Sequence, residues 1–244
     1  NIRRFIIFQM TINVCACLIV LLGSFIGLDS PLTVTQMLWV NLIMDTFAAM
    51  ALSSLPADRA VLYDKPRRPD SHIIDKQMIH KIVGFALLFF VLLSGLWQLL
   101  WHTEIDSVKQ LISLDSIKLF FTGILDLESN KGQLSGYDHG VFFSIFVMLQ
   151  FWNLFNAKYF RTDRSLIQDI IDAFRRPEKV RQSYSQGFIW IVLVILLGQI
   201  LIVSFAGSMF NVAPLDAYDW GWILLITSPV LIITDIVRFV KHLI

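Results

Sequence analysis

Six long stretches of this chain carry almost no charged side chain, and they limit its possible folds more than any other feature. They are residues 5–27, 32–55, 82–101, 140–157, 187–205 and 220–240. A helix needs about 20 mostly apolar residues to cross a hydrocarbon core about 30 Å thick. Inside lipid, every backbone donor must also be satisfied within the helix. The sequence therefore predicts an all-α membrane protein with six transmembrane helices, forming one transmembrane domain over residues 1–244.

The composition supports a membrane location. Hydrophobic residues make up 56% of the chain and charged residues 16%, whereas about a quarter of the residues in soluble domains are charged. The mean hydropathy is +0.66. The expected environment is therefore a lipid bilayer. The net charge of +1 gives no reason to expect a nucleic-acid partner.

The positions of the basic residues predict the orientation of the helices. All but three of the 20 Lys and Arg residues lie at the chain ends or in the second and fourth connections, the exceptions being Lys109, Lys118 and Lys131. Basic residues collect on the cytoplasmic side of membrane proteins. We therefore expect both termini in the cytoplasm, in a multi-pass protein of a plasma membrane or a bacterial inner membrane.

The fourth connection contains a segment with helical periodicity, at residues 165–176. Ser165 and Gln168 have the spacing of a capping box, and Pro177 is expected to end the helix. Its apolar positions are Leu166, Ile167, Ile170, Ile171 and Phe174. This pattern favours either a helix lying on the inner membrane surface or one that packs on its own bundle.

Asp45 is the one acidic residue deep within a predicted span, and it is the strongest candidate for chemistry. An ionised Asp at the centre of a membrane helix costs about 2.5 to 3.5 kcal/mol on insertion scales. Asn41 lies four residues earlier, which places both side chains on one face of an α-helix. Asn13, halfway through the neighbouring span, and Gln150 in the fourth span add two further amides.

These candidate ligands all offer oxygen atoms, which favours a hard cation such as Ca²⁺ over Zn²⁺ or Cu⁺. Calcium usually takes six to eight oxygens, so Asp45, Asn41, Asn13 and Gln150 are expected to form only part of a site. The alternative for the amides, including Asn153 and Asn156, is that they hold helices together. Asp235 is expected to be structural, in an ion pair with Arg238 one turn later.

Three sequence motifs resemble P-type calcium ATPases, and the plasma-membrane branch fits best. Gln-Met-Leu-Trp-Val-Asn-Leu-Ile-Met-Asp-Thr at 36–46 resembles the sixth membrane helix of these pumps. Phe-Gln-Met-Thr-Ile-Asn-Val at 8–14 is similar to the fifth helix, and Phe-Val-Met-Leu-Gln-Phe-Trp-Asn-Leu-Phe-Asn at 146–156 to the eighth. The six spans would then be helices five to ten of a ten-helix transport domain.

The resemblance implies that Asn41 and Asp45 are ligands of a transported Ca²⁺, with Asn13 and Gln150 lining the site. Two-site reticulum pumps carry a Glu, a Thr and a Glu where this chain has Ala16, Met44 and Gln150. The resemblance therefore implies one Ca²⁺ per transport cycle.

The resemblance also implies partners outside this chain. Helices one to four and the phosphorylation, nucleotide and actuator domains of such a pump are absent from the sequence, which does not begin with Met. ATP and Mg²⁺ would bind in those domains, so we expect this fragment to be inactive as an ATPase alone. The connection 56–76 resembles the loop that contacts the phosphorylation domain.

Two other classes of function remain open from sequence. In a secondary transporter or channel, Asp45 would bind a proton or a sodium ion, although no inverted repeat is visible. In a structural membrane subunit, the buried polar groups would serve packing alone.

Overall fold

The computed structural model describes residues 1–26, 30–56, 73–122, 133–160, 162, 165–175 and 186–243. Most of these residues are helical, and there is no strand among them. The helices are α1 (Ile2–Ile26), α2 (Val34–Leu38), α3 (Asp45–Ser53), α4 (Lys76–His102), α5 (Leu114–Thr122), α6 (Gly136–Lys158), α7 (Leu166–Arg175), α8 (Gln186–Phe205), α9 (Gly207–Phe210), α10 (Ala217–Thr227) and α11 (Pro229–Leu243). A π-helical turn, Trp39–Met44, joins α2 to α3, and a 3₁₀ turn, Val108–Ile112, precedes α5.

Six helical segments are long and apolar enough to cross a membrane. They are Ile2–Ile26, Val34–Ser53, Lys76–His102, Gly136–Lys158, Gln186–Phe205 and Ala217–Ile236. The predicted fold class, an all-α protein with six membrane-spanning helices, is confirmed. The largest shift of a boundary is in the third span, which begins at Lys76 where the sequence predicts residue 82.

The amino terminus lies at one end of the bundle, which we call the basic end. There, Arg3 forms a salt bridge of 3.0 Å with Asp75, just before α4. The Asn1 amide donates to the Leu55 carbonyl, just after α3, at 2.9 Å. The Lys81 ammonium lies over the Phe160 ring, just after α6. These contacts bring the start of α1, the end of α3, the start of α4 and the end of α6 to the same end of the bundle.

The opposite end of the bundle is held by hydrogen bonds between segments distant in sequence. The Gln36 amide donates to the Phe210 carbonyl at 2.8 Å. The backbone N–H of Ala213 donates to the Gly136 carbonyl at 2.8 Å. Asp219 joins α10 to the 3₁₀ turn by accepting the N–H of Val108 at 3.0 Å.

Helix α6 is the centre of the bundle. Its span is far more buried than the other five, and it contacts α1, α4, α8, α10 and α11. Phe142, Phe143 and Phe146 are among the largest fully buried side chains. Because α6 is enclosed on all sides, its polar residues lie inside protein rather than against lipid.

Two predicted spans are interrupted. In the second, the π-helical turn Trp39–Met44 stands where the sequence predicts a continuous α-helix. The sixth is broken at Ser228, between α10 and α11. Pro229 has no backbone N–H and clashes with the preceding turn, which accounts for the second break.

Helix α7 occupies the segment predicted at 165–176. The Gln168 backbone N–H donates to the Ser165 hydroxyl at 3.1 Å, and the Ser165 N–H donates to the Gln168 side chain at 2.9 Å. The expected capping box is therefore present. Most of the connection 56–76 lies outside the described residues.

Asp235 has partners that the sequence did not predict. Its carboxylate accepts the backbone N–H groups of Leu166 and Ile167, both at 2.7 Å. It therefore caps α7 from α11, and an N-terminal helix end favours such a negative charge. The side chain of Arg238, the expected partner, lies outside the described residues.

Candidate metal centre

Asp45 lies where the π-helical turn returns to α-helix. Its backbone N–H donates to the Val40 carbonyl, five residues back. Such turns interrupt the regular hydrogen-bond ladder and are frequent at functional sites. In this chain, the π-helical turn lies within the 36–46 motif, which contains the predicted ligands Asn41 and Asp45.

The Asp45 carboxylate is buried and unsatisfied. The residue is 4% exposed, and neither carboxylate oxygen has a hydrogen-bond partner among the described residues. Gln9 of α1 is the polar side chain that approaches it. Leaving a buried charged acceptor without donors costs more than about 1 to 3 kcal/mol, so this arrangement calls for a ligand or a function.

Asn41 and Asn13 keep exposed surface. Asn41 is exposed and Asn13 is half-buried. Asn41 belongs to the π-helical turn, and Asp45 follows the turn. Because one is exposed and the other buried, the two side chains do not share the buried face that α-helical spacing predicts. Two of the four predicted ligands are therefore less enclosed by the described residues than Asp45 and Gln150.

Gln150 is fully buried in α6, and both atoms of its amide lack a hydrogen-bond partner among the described residues. It makes no hydrogen bond to Asp45. Helix α1, which carries Asn13, contacts both α3 and α6. Each of the three helices therefore contributes a polar group to the bundle, and α1 lies between the other two.

The other two amides of α6 differ from each other. The Asn156 amide donates to the Val230 carbonyl of α11 at 3.5 Å, as expected of a residue that holds helices together. The Asn153 nitrogen is buried without a partner in the described part of the chain.

Sequence reasoning missed Gln9 as a neighbour of Asp45. Gln9 and Asn13 have the same four-residue spacing as Asn41 and Asp45, so both could be expected on one face of α1. That spacing could have indicated Gln9 as a neighbour of the site, although Gln9 lies nearer the end of the helix than Asn13.

Other features do not compete with this site for a metal ion. The described ranges contain no group of three or more His, Cys, Asp and Glu residues that could hold one. A cavity of about 290 Å³ opens at the opposite end, lined by Thr33, Trp101, Gln133 and His139 among others. None of the four predicted ligands lines this cavity.

Comparison with known proteins places the chain in a family. A family model described as the C-terminus of cation-transporting ATPases matches residues 29–240. Plasma membrane calcium-transporting ATPase 3 of Homo sapiens is 33% identical over 230 residues, which cover 93% of this chain and 16% of that protein. Plasma membrane calcium-transporting ATPase 2 of Oreochromis mossambicus is 32% identical over 226 residues, covering 91% and 17%.

A third relative, plasma membrane calcium-transporting ATPase 4 of Bos taurus, is 30% identical over 231 residues, covering 93% of this chain and 16% of that protein. The chain therefore spans about a sixth of the length of the curated relatives it matches. Because the family model covers most of the chain, this membrane protein belongs to the C-terminal family of cation-transporting ATPases.

Proposed function

We propose that this chain forms the membrane part of an ATP-driven Ca²⁺ pump of a plasma membrane. Asp45, Asn41, Asn13 and Gln150 supply part of the oxygen ligands of the transported ion. Gln9 lies beside the carboxylate and either binds the ion or orients Asp45. The names of the relatives, which are calcium-transporting ATPases, support the choice of ion.

The observation that carries this proposal is the unsatisfied carboxylate of Asp45. A buried charge without a partner persists only where the surrounding structure offers compensation. A divalent cation supplies that compensation when it binds, and its departure restores the cost. Such a residue therefore suits a site that is filled and emptied in each cycle.

The remaining ligands and the energy source belong to other parts of the pump. Helices one to four would complete the coordination of Ca²⁺, which needs six to eight oxygens. ATP and Mg²⁺ would bind the phosphorylation and nucleotide domains, and the actuator domain would move with them. The connection 56–76 is proposed to couple these domains to the bundle.

Two further residues support one Ca²⁺ per cycle. Ala16 and Met44 are both buried near the candidate ligands in sequence, and neither offers an oxygen from its side chain. A second site in this region would lack the carboxylates that balance a second divalent charge.

The test is ATP-driven uptake of ⁴⁵Ca into sealed vesicles that contain the intact polypeptide. Asp45→Asn removes the charge with little change of volume and is expected to reduce uptake to background. Asp216→Asn is the matched control, because Asp216 is exposed and its side chain makes no capping hydrogen bond. Uptake in this control should stay close to that of the unmodified protein.

The alternatives give different results in the same vesicles. Uptake that needs an ion gradient but no ATP would indicate a secondary transporter. Uptake that is unchanged by Asp45→Asn would contradict the proposed site. Competition by Mn²⁺ tests the choice of ion, since both cations accept oxygen ligands.

A further inference from the structure

Helix α7 is attached to the bundle by its polar side. The Asp169 carboxylate, 2% exposed, pairs with the Lys158 ammonium at 3.3 Å and accepts the Tyr159 hydroxyl at 2.8 Å. Asp235 caps the first turn of α7, as described above. The face of α7 that contacts protein thus carries the buried carboxylate of Asp169.

The apolar side of α7 points away from the bundle. Ile170 and Ile171 are exposed, and Phe174 is 88% exposed. A helix packed on a protein in water shows the reverse arrangement, with apolar residues inward and charged residues outward. The inversion is explained if the medium outside α7 is itself apolar.

Two contacts fix the depth of α7 at a membrane boundary. Lys158 is the last residue of the fourth span, and Asp235 lies one residue before the end of the sixth. Both hold α7 directly, so the helix lies level with the ends of two spans. That is the depth at which an amphipathic helix inserts between headgroups and acyl chains.

The exposed side of α7 also continues a surface that faces lipid. Helix α11, which contacts α7, carries the exposed residues Ile232, Ile233 and Ile236 within the sixth span. Arg175, exposed at the end of α7, has the charge and the position to meet phosphate headgroups.

We propose that α7 is embedded in the membrane interface at the basic end, with Ile170, Ile171 and Phe174 among the lipids. The buried Lys158–Asp169 pair and the Asp235 cap hold it there from the protein side. This role is independent of ion transport and goes beyond the proposed function. Its occupant is the lipid bilayer, not another part of the pump.

Photo-crosslinking of the intact polypeptide in lipid nanodiscs tests this assignment. The residue p-benzoyl-phenylalanine replaces Phe174, and adducts are identified by mass spectrometry. Phe205, 84% exposed on the membrane-spanning α8, is the lipid control, and Phe188, buried at 1%, is the protein control. Each substitution keeps an aromatic ring, and the readout does not depend on transport.

We expect lipid adducts when the photoreactive residue stands at position 174 or 205. We expect none when it replaces the buried Phe188. Peptide adducts at Phe174 would overturn the proposal by showing that another domain covers α7. The absence of any adduct at Phe174, with lipid adducts at Phe205, would overturn it by showing that α7 faces water.

Discussion

Buried carboxylates at the two ends of the bundle accept hydrogen bonds, whereas the buried carboxylate in the middle accepts none from the described residues. At the opposite end, Asp219 accepts three hydrogen bonds: from the Ser107 hydroxyl at 3.0 Å, the Val108 N–H at 3.0 Å and the Tyr137 hydroxyl at 2.8 Å. At the basic end, Asp169 has the Lys158 ammonium and the Tyr159 hydroxyl. In the middle, Asp45 has no hydrogen bond from the described residues.

The difference separates carboxylates that are held by hydrogen bonds from one that is not. A carboxylate that is surrounded by donors fixes its neighbours and loses little by being buried. A carboxylate without donors contributes nothing to folding that an apolar residue would not, so its presence needs another reason. Stability and transport should therefore respond to the two classes of Asp in opposite ways.

The largest expected effect on stability comes from the buried ion pair. Lys158→Met removes the ammonium beside Asp169 and is expected to lower the free energy of unfolding by about 3 to 5 kcal/mol. The double variant Lys158→Met, Asp169→Leu should recover most of that loss, because no buried charge remains. Thermal unfolding in detergent measures both, and equal losses in the two variants would contradict the assignment of the pair.

A smaller loss is expected at the opposite end. Asp219→Ala leaves two hydroxyl groups and one backbone N–H without their acceptor, and it should cost about 2 to 3 kcal/mol in unfolding free energy. Asp216→Ala is the matched control, because Asp216 is exposed and its side chain makes no capping hydrogen bond. A similar loss in both variants would mean that the three hydrogen bonds of Asp219 contribute little.

Asp45→Asn should behave in the reverse way. Removing an uncompensated charge from the middle of the bundle is expected to leave the free energy of unfolding unchanged or to raise it by about 1 kcal/mol. The same unfolding measurement in the absence of Ca²⁺ checks this. A loss as large as that of Asp219→Ala would show that Asp45 has a structural partner.

Two buried amides allow the same comparison between uncharged side chains. Gln36 donates to the Phe210 carbonyl and accepts the Thr33 N–H at 3.0 Å, whereas neither amide atom of Gln199 has a partner among the described residues. Gln36→Leu should cost about 1 to 2 kcal/mol and Gln199→Leu less than about 0.5 kcal/mol in unfolding free energy. The reverse order would indicate that hydrogen-bond satisfaction does not control stability in this bundle.

The fold could be predicted from sequence because lipid leaves few choices. A stretch of about 20 residues without charge can only form a spanning helix, and the single deep carboxylate identified Asp45. Ser165 and Gln168 gave the start of α7 by local chemistry alone. These features depend on near neighbours in the sequence, which the printed chain supplies.

What sequence could not give depends on contacts between distant segments. The π-helical turn Trp39–Met44 has no residue signature in the sequence. The orientation of α7 depends on Lys158 and Asp235, which lie outside the helix itself. The break at Ser228 could have been predicted from Pro229, but the length of the apolar stretch indicated an uninterrupted helix.

The most direct test of the calcium site is a structure of the intact polypeptide determined with bound Ca²⁺. The account predicts an ion at about 2.3 to 2.6 Å from the Asp45 carboxylate, with Asn41 or Asn13 among its other oxygen ligands. An Asp45 side chain that is permanently paired with a basic residue, with the ion bound elsewhere, would contradict it.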